Sequence, residues 1–291
     1  MSMTNAGPLG IWRVSFGGQA RLARGPVAGG PADLLPYRSL DELLAEGGRP
    51  LAEVLAAPAG DPVPAEASVL SPVGGQEIWA AGVTYERSRD ARTEESQDPD
   101  HYDRVYDADR PELFFKAAPG RAVGSGHPVG IRADSAWNAP EPELGVIANA
   151  SGDLVAYVLG NDMSSRSIEG DNPLYLAQAK VYTASCALGP CLVPVEEAPA
   201  LDEIRLDLDV SRDGQTVAAG SVELTRLRRS PSELIGWLTR ALDFPVGVVL
   251  LTGTGIVPPA DFTLESGDVV TITGTGLGTL RNPVIEVGGR G

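Results

Sequence analysis

Cysteine and histidine are nearly missing from this sequence, with two residues of each. Cys186 and Cys191 are too few for a disulfide framework and lack a zinc-site pattern. In an apolar run they are expected to act as small buried side chains. A reducing cytoplasm is the simplest setting for them. No apolar stretch approaches the roughly 20 residues that span a bilayer, and Met1 to Gly10 lacks the basic and apolar regions of a signal, so neither insertion nor secretion is expected. Basic residues are scarce too, with 23 Lys and Arg against 39 Asp and Glu and a formal net charge of −16. That charge repels polyphosphates and anionic lipid heads. No block of Lys and Arg interleaved with aromatics offsets it, so no nucleic acid or membrane partner is expected. A small anionic substrate stays compatible, because a bound cation can reverse the sign locally.

What is present suffices for a large core: 291 residues, 43% of them hydrophobic, can form one large domain or one with a smaller companion. Leu9 to Ala23 reads as two short strands about a Gly17-Gly18 turn. Ser39 then opens a helix with Glu42 closing a capping box. Ala56 to Pro72 is rich in Ala and Pro without apolar period, a linker or wrapping segment. The expected division is therefore a small N-terminal α+β domain with linker over residues 1–71 and a main domain over 72–291.

In the main domain, strands are predicted at Glu77 to Ala81, Glu112 to Ala117, Leu144 to Ala148, Leu154 to Leu159 and Ile204 to Val210. Further strands follow at Val217 to Leu224, Val248 to Leu251, Val269 to Thr273 and Leu280 to Val287. One strong helix has Ser230 as cap, Pro231 in the first turn, Glu233 closing the box, and Leu234, Trp237, Leu238 and Leu242 on one face. Many strands without strand-helix alternation argue for a mostly β, α+β fold, a barrel or sandwich, and against a doubly wound sheet.

Glu141 and Glu143 stand two apart at the start of a strand, so in extended backbone both leave the same face. The chain turns at Ser151-Gly152 and returns to Asp162. If those two residues form the loop, Ala150 faces Asp153, Gly160 faces Glu143 and Asp162 faces Glu141. Three carboxylates then gather at one end of a hairpin, an arrangement that repels itself unless a pKa rises or a cation binds. Oxygen ligands without Cys or His nearby suit a hard ion, Mg²⁺ first, with Mn²⁺ or Ca²⁺ as alternatives. Spacing alone leaves open the plainer alternative of three solvated acids on an acidic protein. A longer loop would also break the register.

Several ordered segments across roughly residues 77 to 287 resemble the fumarylacetoacetate hydrolase superfamily: Ala81-Gly82-Val83-Thr84-Tyr85, Pro111 to Lys116, Glu141-Pro142-Glu143-Leu144, and Gly160-Asn161-Asp162-Met163-Ser164-Ser165-Arg166. Lys180, Gly189-Pro190, Thr252-Gly253-Thr254-Gly255 and Gly267-Asp268 continue the series. The resemblance implies a rolled, mostly β catalytic domain, Glu141, Glu143 and Asp162 as Mg²⁺ ligands, a small 2-oxo acid as substrate, and a homodimer or homotetramer.

Hydrolytic members carry a histidine three residues after the tyrosine of the first segment, where Ser88 stands here. The chain's two histidines, His101 and His127, lie elsewhere. A serine without histidine cannot act as a base near neutral pH, which demotes hydrolysis. Val83 to Ser88, Tyr106 to Ala117, and Glu169 to Leu176 with Gln178-Ala179-Lys180 are more similar to one branch, the 2-keto-3-deoxy-pentonate dehydratases, which include those acting on 2-keto-3-deoxy-D-arabinonate. The chemistry implied is loss of a carbon 3 proton, with the metal stabilising the charge at the ketone oxygen, departure of the carbon 4 hydroxyl, and tautomerisation to give 2,5-dioxopentanoate.

Lys180 matches a lysine that the family places beside the metal. Low dielectric and a nearby cation should push its pKa down and make it the base, with Glu112 assisting the hydroxyl. Glu112, Phe114 and Lys116 are expected on one strand face, with core packing the role of Phe114. Thr84, Ser88, Arg87, Lys116 and Thr254 are the substrate-contact candidates. Lys116 has a carboxylate-orienting role as its alternative, and Arg87 and Arg89 that of helix-surface charges. Thr252 to Gly255 is read as a tight turn near the site rather than a phosphate cradle. The rivals are an acylpyruvate-type carbon–carbon hydrolase or oxaloacetate decarboxylase of the same superfamily, and a non-catalytic metal-binding scaffold.

Overall fold

The computed structural model describes residues 7–45, 50–95 and 100–289. The first part of Met1 to Gly10, residues 1–6, lies outside them. A mixed sheet forms the centre, with strands in the order Asp33–Leu34, Gln19–Pro26, Leu9–Phe16, Cys186–Pro194, Leu154–Asp162, Pro142–Ala148, Val248–Leu251, Glu77–Gly82 and Glu112–Ala117. Ser68–Val69 pairs with Leu9–Phe16 off this path. A second sheet runs Gln215–Glu223, Arg205–Arg212, Val269–Gly274, Gly278–Val287 and Val129–Arg132. Most pairings are antiparallel, as the fold class expects. The exceptions are Val248–Leu251 on Glu77–Gly82 and Gly278–Val287 on Val129–Arg132.

Central strands are buried on both faces, so their alternate side chains feed two cores. Leu144, Val146, Val248 and Leu250 meet Leu206, Leu208, Ile272 and Leu280 of the second sheet. Ile147, Val249 and Leu251 point the other way, onto Leu40, Leu44, Leu51 and Leu55 of two short N-terminal helices. Each such side chain, fully buried, contributes about 1.5–3 kcal/mol. Local signals explain the helix ends: Ser39 accepts from Glu42 N at 3.3 Å, and Ser230 from Glu233 N at 3.1 Å. The second helix stops at Leu238, so Leu242, expected on its apolar face, is instead exposed.

The hairpin that carries the acids reaches the expected register by another route. Asn149 to Asp153 forms the turn, with Asn149 N donating to Asp153 O at 3.0 Å, and Leu154 pairs with Ala148. That is one residue out of step with a two-residue loop. A bulge between Leu154 and Ala156 absorbs the extra residue, and from Ala156↔Ile147 outward the pairing is the one expected, through Gly160↔Glu143 to Asn161↔Pro142. Asp162 N then donates to Glu141 O at 3.0 Å.

Cys186–Pro194, a fully buried strand between Leu9–Phe16 and Leu154–Asp162, is absent from the sequence expectation. Its Gly189-Pro190 pair, joined by a cis peptide, interrupts the pattern by which strands are read.

Candidate active site

Glu141, Glu143 and Asp162 converge as the hairpin register requires: one ligand oxygen from each lies within 4.8 Å of the others, and all three residues are buried. Their surroundings treat them unequally. Glu141 meets Arg92 Nη2 at 2.7 Å, Lys180 Nζ at 2.8 Å and Arg166 Nη2 at 3.1 Å. Asp162 pairs with Lys116 and, at 3.3 Å, with Lys180. Glu143 has no ion pair among the described residues, only a hydrogen bond from Gly253 N at 2.6 Å. Burial first, then Asp162 and Glu141, push its carboxyl well above the usual range, against smaller opposing effects of Lys180 and the Gly253 bond. A buried acid among like charges either keeps its proton or takes a cation, and these three carboxylates lie close enough together to hold one. All-oxygen donors fit a hard divalent ion.

The turn holding Glu143 depends on glycine. Gly253 sits at φ +90°, and a Cβ there would lie 2.0 Å from Thr84 Oγ1. Thr84 Oγ1 in turn donates to Thr252 O at 2.6 Å. Its hydroxyl therefore fastens this turn, and Thr84 does not line the cavity.

A cavity of about 20 Å³ opens onto the carboxylates, lined also by Ser88, Arg92, Glu112, Phe114, Glu169, Lys180 and Thr254. Glu112 packs so close to Gly82 that a Cβ on that glycine would lie 2.0 Å from its Oε2. Burial first, then Glu169, push the Glu112 pKa up to about 7, with Lys180 and Arg92 opposing and Glu141 adding. Lys180 Nζ donates to Glu141 Oε2, to Asp162 Oδ2 and, at 2.6 Å, to Ser164 Oγ. Burial lowers its pKa, yet Asp162, Glu141 and Glu169 together raise it above the ordinary lysine value. The lowered pKa expected of Lys180 is therefore not a property of the protein alone, because the site's own carboxylates hold the ammonium form.

Glu112, Phe114 and Thr254 line the cavity as a group, Phe114 with its ring 5.7 Å from Lys180 Nζ rather than only in the core. Ser88 is there too, its Oγ donating to Tyr85 O at 2.8 Å. Lys116 departs from the shared-face expectation. The ladder shifts between Ile78↔Ala117 and Trp79↔Phe115, leaving Lys116 as the bulged residue. Its fully buried ammonium donates to Met163 O at 3.0 Å and pairs with Asp162, without lining the cavity. Arg87 is exposed and lines a separate 490 Å³ cavity with Tyr85, Tyr106 and Arg226.

Three residues not singled out by sequence reasoning complete the site: Arg92, Arg166 and Glu169. Arg92 bridges Glu141 to Glu169, with Nε at 3.2 Å from Glu169 Oε1. A signal for it existed, since Ser88 and Arg92 are four apart on the Glu86–Glu95 helix and so share a face. Among the described residues, no histidine lines the cavity.

The fumarylacetoacetate (FAA) hydrolase C-terminal family matches residues 77–285. A Haloferax volcanii protein named "Probable 2-keto-3-deoxyxylonate dehydratase" is 50% identical over 216 residues, covering 74% of each chain. The "2-dehydro-3-deoxy-D-arabinonate dehydratase" of Saccharolobus solfataricus is 40% identical over 220 residues, again 74% of each. A solved structure of 2-keto-3-deoxy-D-arabinonate dehydratase, complexed with magnesium and 2,5-dioxopentanoate, matches with TM-score 0.81 and 31% identity over 95% of this chain and 99% of that one. With a family model matching residues 77–285, well over half of its length, and relatives 50% and 40% identical over 74% of it, the chain belongs to the fumarylacetoacetate hydrolase family.

Proposed function

We propose that this protein is a Mg²⁺-dependent hydro-lyase that converts a 2-keto-3-deoxy-pentonate to 2,5-dioxopentanoate. The observation that carries the reading is a buried carboxyl, Glu112, its pKa pushed up to about 7, in one small cavity with the three-carboxylate cluster and Lys180. Similarity to the two dehydratases supports the substrate class, and Ser88, standing where hydrolytic members carry a histidine, counts against the base that hydrolysis would use. Glu141, Glu143 and Asp162 would hold the ion, which supplies Lewis-acid polarisation of the 2-keto group.

The chain's own groups divide the proton work. Lys180 Nζ takes the carbon 3 proton once the field of Glu141 and Asp162 is offset. Glu112, whose pKa burial pushes up to about 7, gives its proton to the carbon 4 hydroxyl, which leaves as water. Lys116 and Arg166 orient Asp162 and Glu141 by charge-assisted bonds. Glu112 must carry its proton, so turnover should fall as pH rises through about 7. A pH–rate profile checks this, and its alkaline limb should be the one lost in Glu112→Gln. The direct test is incubation of the Mg²⁺-loaded protein with 2-keto-3-deoxy sugar acids and acylpyruvates, following products by mass. Loss of one water from a pentonate is expected; cleavage of an acylpyruvate instead would overturn the reading.

A further inference from the structure

If the protein is this dehydratase, its product poses a second proton problem. Carbon 5 of the substrate is a hydroxymethyl group with two hydrogens, whereas the aldehyde carbon of 2,5-dioxopentanoate has one. Loss of the carbon 3 proton and the carbon 4 hydroxyl yields only 5-hydroxy-2-oxopent-3-enoate. A carbon 5 proton must then be removed. By that stage Lys180 carries the carbon 3 proton, and Glu112 has just released its own beside the departing water.

Among the described residues, one further carboxylate lines the cavity. Glu169 lies on the Arg166–Asp171 helix, which follows the Asp162 strand, and Ser165 caps that helix by accepting from Ile168 N at 3.4 Å. The i, i+3 spacing turns Arg166 and Glu169 to the same side, and both are buried, at 3% and 6% exposure. Arg92 holds Glu169 Oε1, while Oε2 is buried without a hydrogen-bond partner. Such an oxygen is costly unless something else uses it. Arg92 also separates Glu169 from Glu141, while Glu169 shares the cavity with Glu112 and acts on its pKa, which sets it beside the group assigned to the carbon 4 hydroxyl, the neighbour of carbon 5.

We infer that Glu169 is the second base, taking a carbon 5 proton through Oε2 and so converting the first dehydration product to the aldehyde. The balance closes. As the carbon 5–hydrogen bond breaks, the carbon 4–carbon 5 double bond forms and the carbon 3–carbon 4 pair takes the proton that Lys180 returns to carbon 3. The resulting enol loses its hydroxyl proton to Glu112 and gains at carbon 4 the proton held by Glu169, leaving all three groups as they began. A carboxylate is a competent base for such an allylic ketone shift, as ketosteroid isomerase shows.

The test is Glu169→Gln in the Mg²⁺-loaded protein, with water loss, near-ultraviolet enone absorbance and aldehyde formation followed separately. Water loss should slow somewhat, because Glu169 helps hold the Glu112 proton, but the enone should accumulate and the aldehyde formed per water lost should fall about 10²- to 10⁴-fold, the usual cost of losing a general base. Aldehyde appearing in step with water loss, at any rate, would overturn the inference, because a purely structural role leaves that ratio unchanged. Should the Gln variant not fold, Glu169→Asp keeps the carboxylate while shortening it, and the same ratio decides: trailing enone supports the role, a wild-type ratio removes it. The dehydratase reading is judged apart from this, on whether the wild-type protein releases water from any 2-keto-3-deoxy-pentonate.

Discussion

Asp268 and Glu143 are buried alike, each 1% exposed, and live in opposite circumstances. Asp268 accepts two parallel bonds from Arg212, Nε at 2.7 Å and Nη2 at 2.9 Å, and a third from Glu265 N at 2.9 Å. That pairing raises the Arg212 pKa further, led by the hydrogen bonds to Asp268. Glu143 has one donor and like-charged neighbours. The contrast separates scaffold from site: a saturated carboxylate stiffens the fold, while one with unused acceptor capacity beside other anions is arranged for something that arrives later.

The sharpest way to break this comparison is Glu143→Gln. The amide oxygen can keep the Gly253 bond, but a ligand charge is gone, so turnover should be abolished, as it should by chelating the wild-type protein. In the metal-free state the same variant should be more stable than wild type near neutral pH. Glu143 has a folded pKa well above its ordinary 4.5, so the wild-type fold loses stability as pH climbs past that ordinary value. The variant's advantage should therefore vanish in acid. Each kcal/mol gained raises the thermal midpoint by roughly 2–4 °C, and melting curves with chelator at two pH values check the sign.

Lys180→Met comes next in size. It keeps much of the side chain's length, so substrate should still bind while the rate falls about 10²- to 10⁴-fold. Deuterium uptake at carbon 3 should stop as well. Uptake at the wild-type rate in a variant that fails to dehydrate would move Lys180 to hydroxyl departure and make Glu112 the base. The smallest effect is expected on the scaffold side. Asp268→Asn should cost about 1–3 kcal/mol of stability by weakening the bonds to Arg212 and leave kcat unchanged below the melting range. A large loss of kcat would show that the two clusters are not independent.

Much of the carboxylate triad was legible because a strand's period is strict: two residues apart means one face, and a hairpin returns the third acid opposite. The residues that escaped notice are polar groups buried by tertiary contact. Arg92 lies on Glu86–Glu95, a helix so polar that sequence places it in solvent, yet its guanidinium is held between Glu141 and Glu169. Glu169 sits in a helix of six residues, too short for a face to show as periodicity. Lys116 was misplaced because strand alternation fails at a bulge, which no local residue type announces. The pKa of Lys180 depends on charges from separate segments, and their sum is visible only once the chain is folded.

The bulge at Val155 acts like a vernier between the Asn149 to Asp153 turn and the Glu143 end of the hairpin. Turn length and bulge are coupled settings, and only their difference reaches the metal ligands. Deleting one turn residue alone would carry Gly160 off Glu143 and turn Asp162 to the opposite face, whereas deleting one turn residue together with the bulge would leave the triad where it stands. Anyone grafting this carboxylate hairpin into another scaffold, or comparing relatives with turns of different length, should therefore count insertions in pairs.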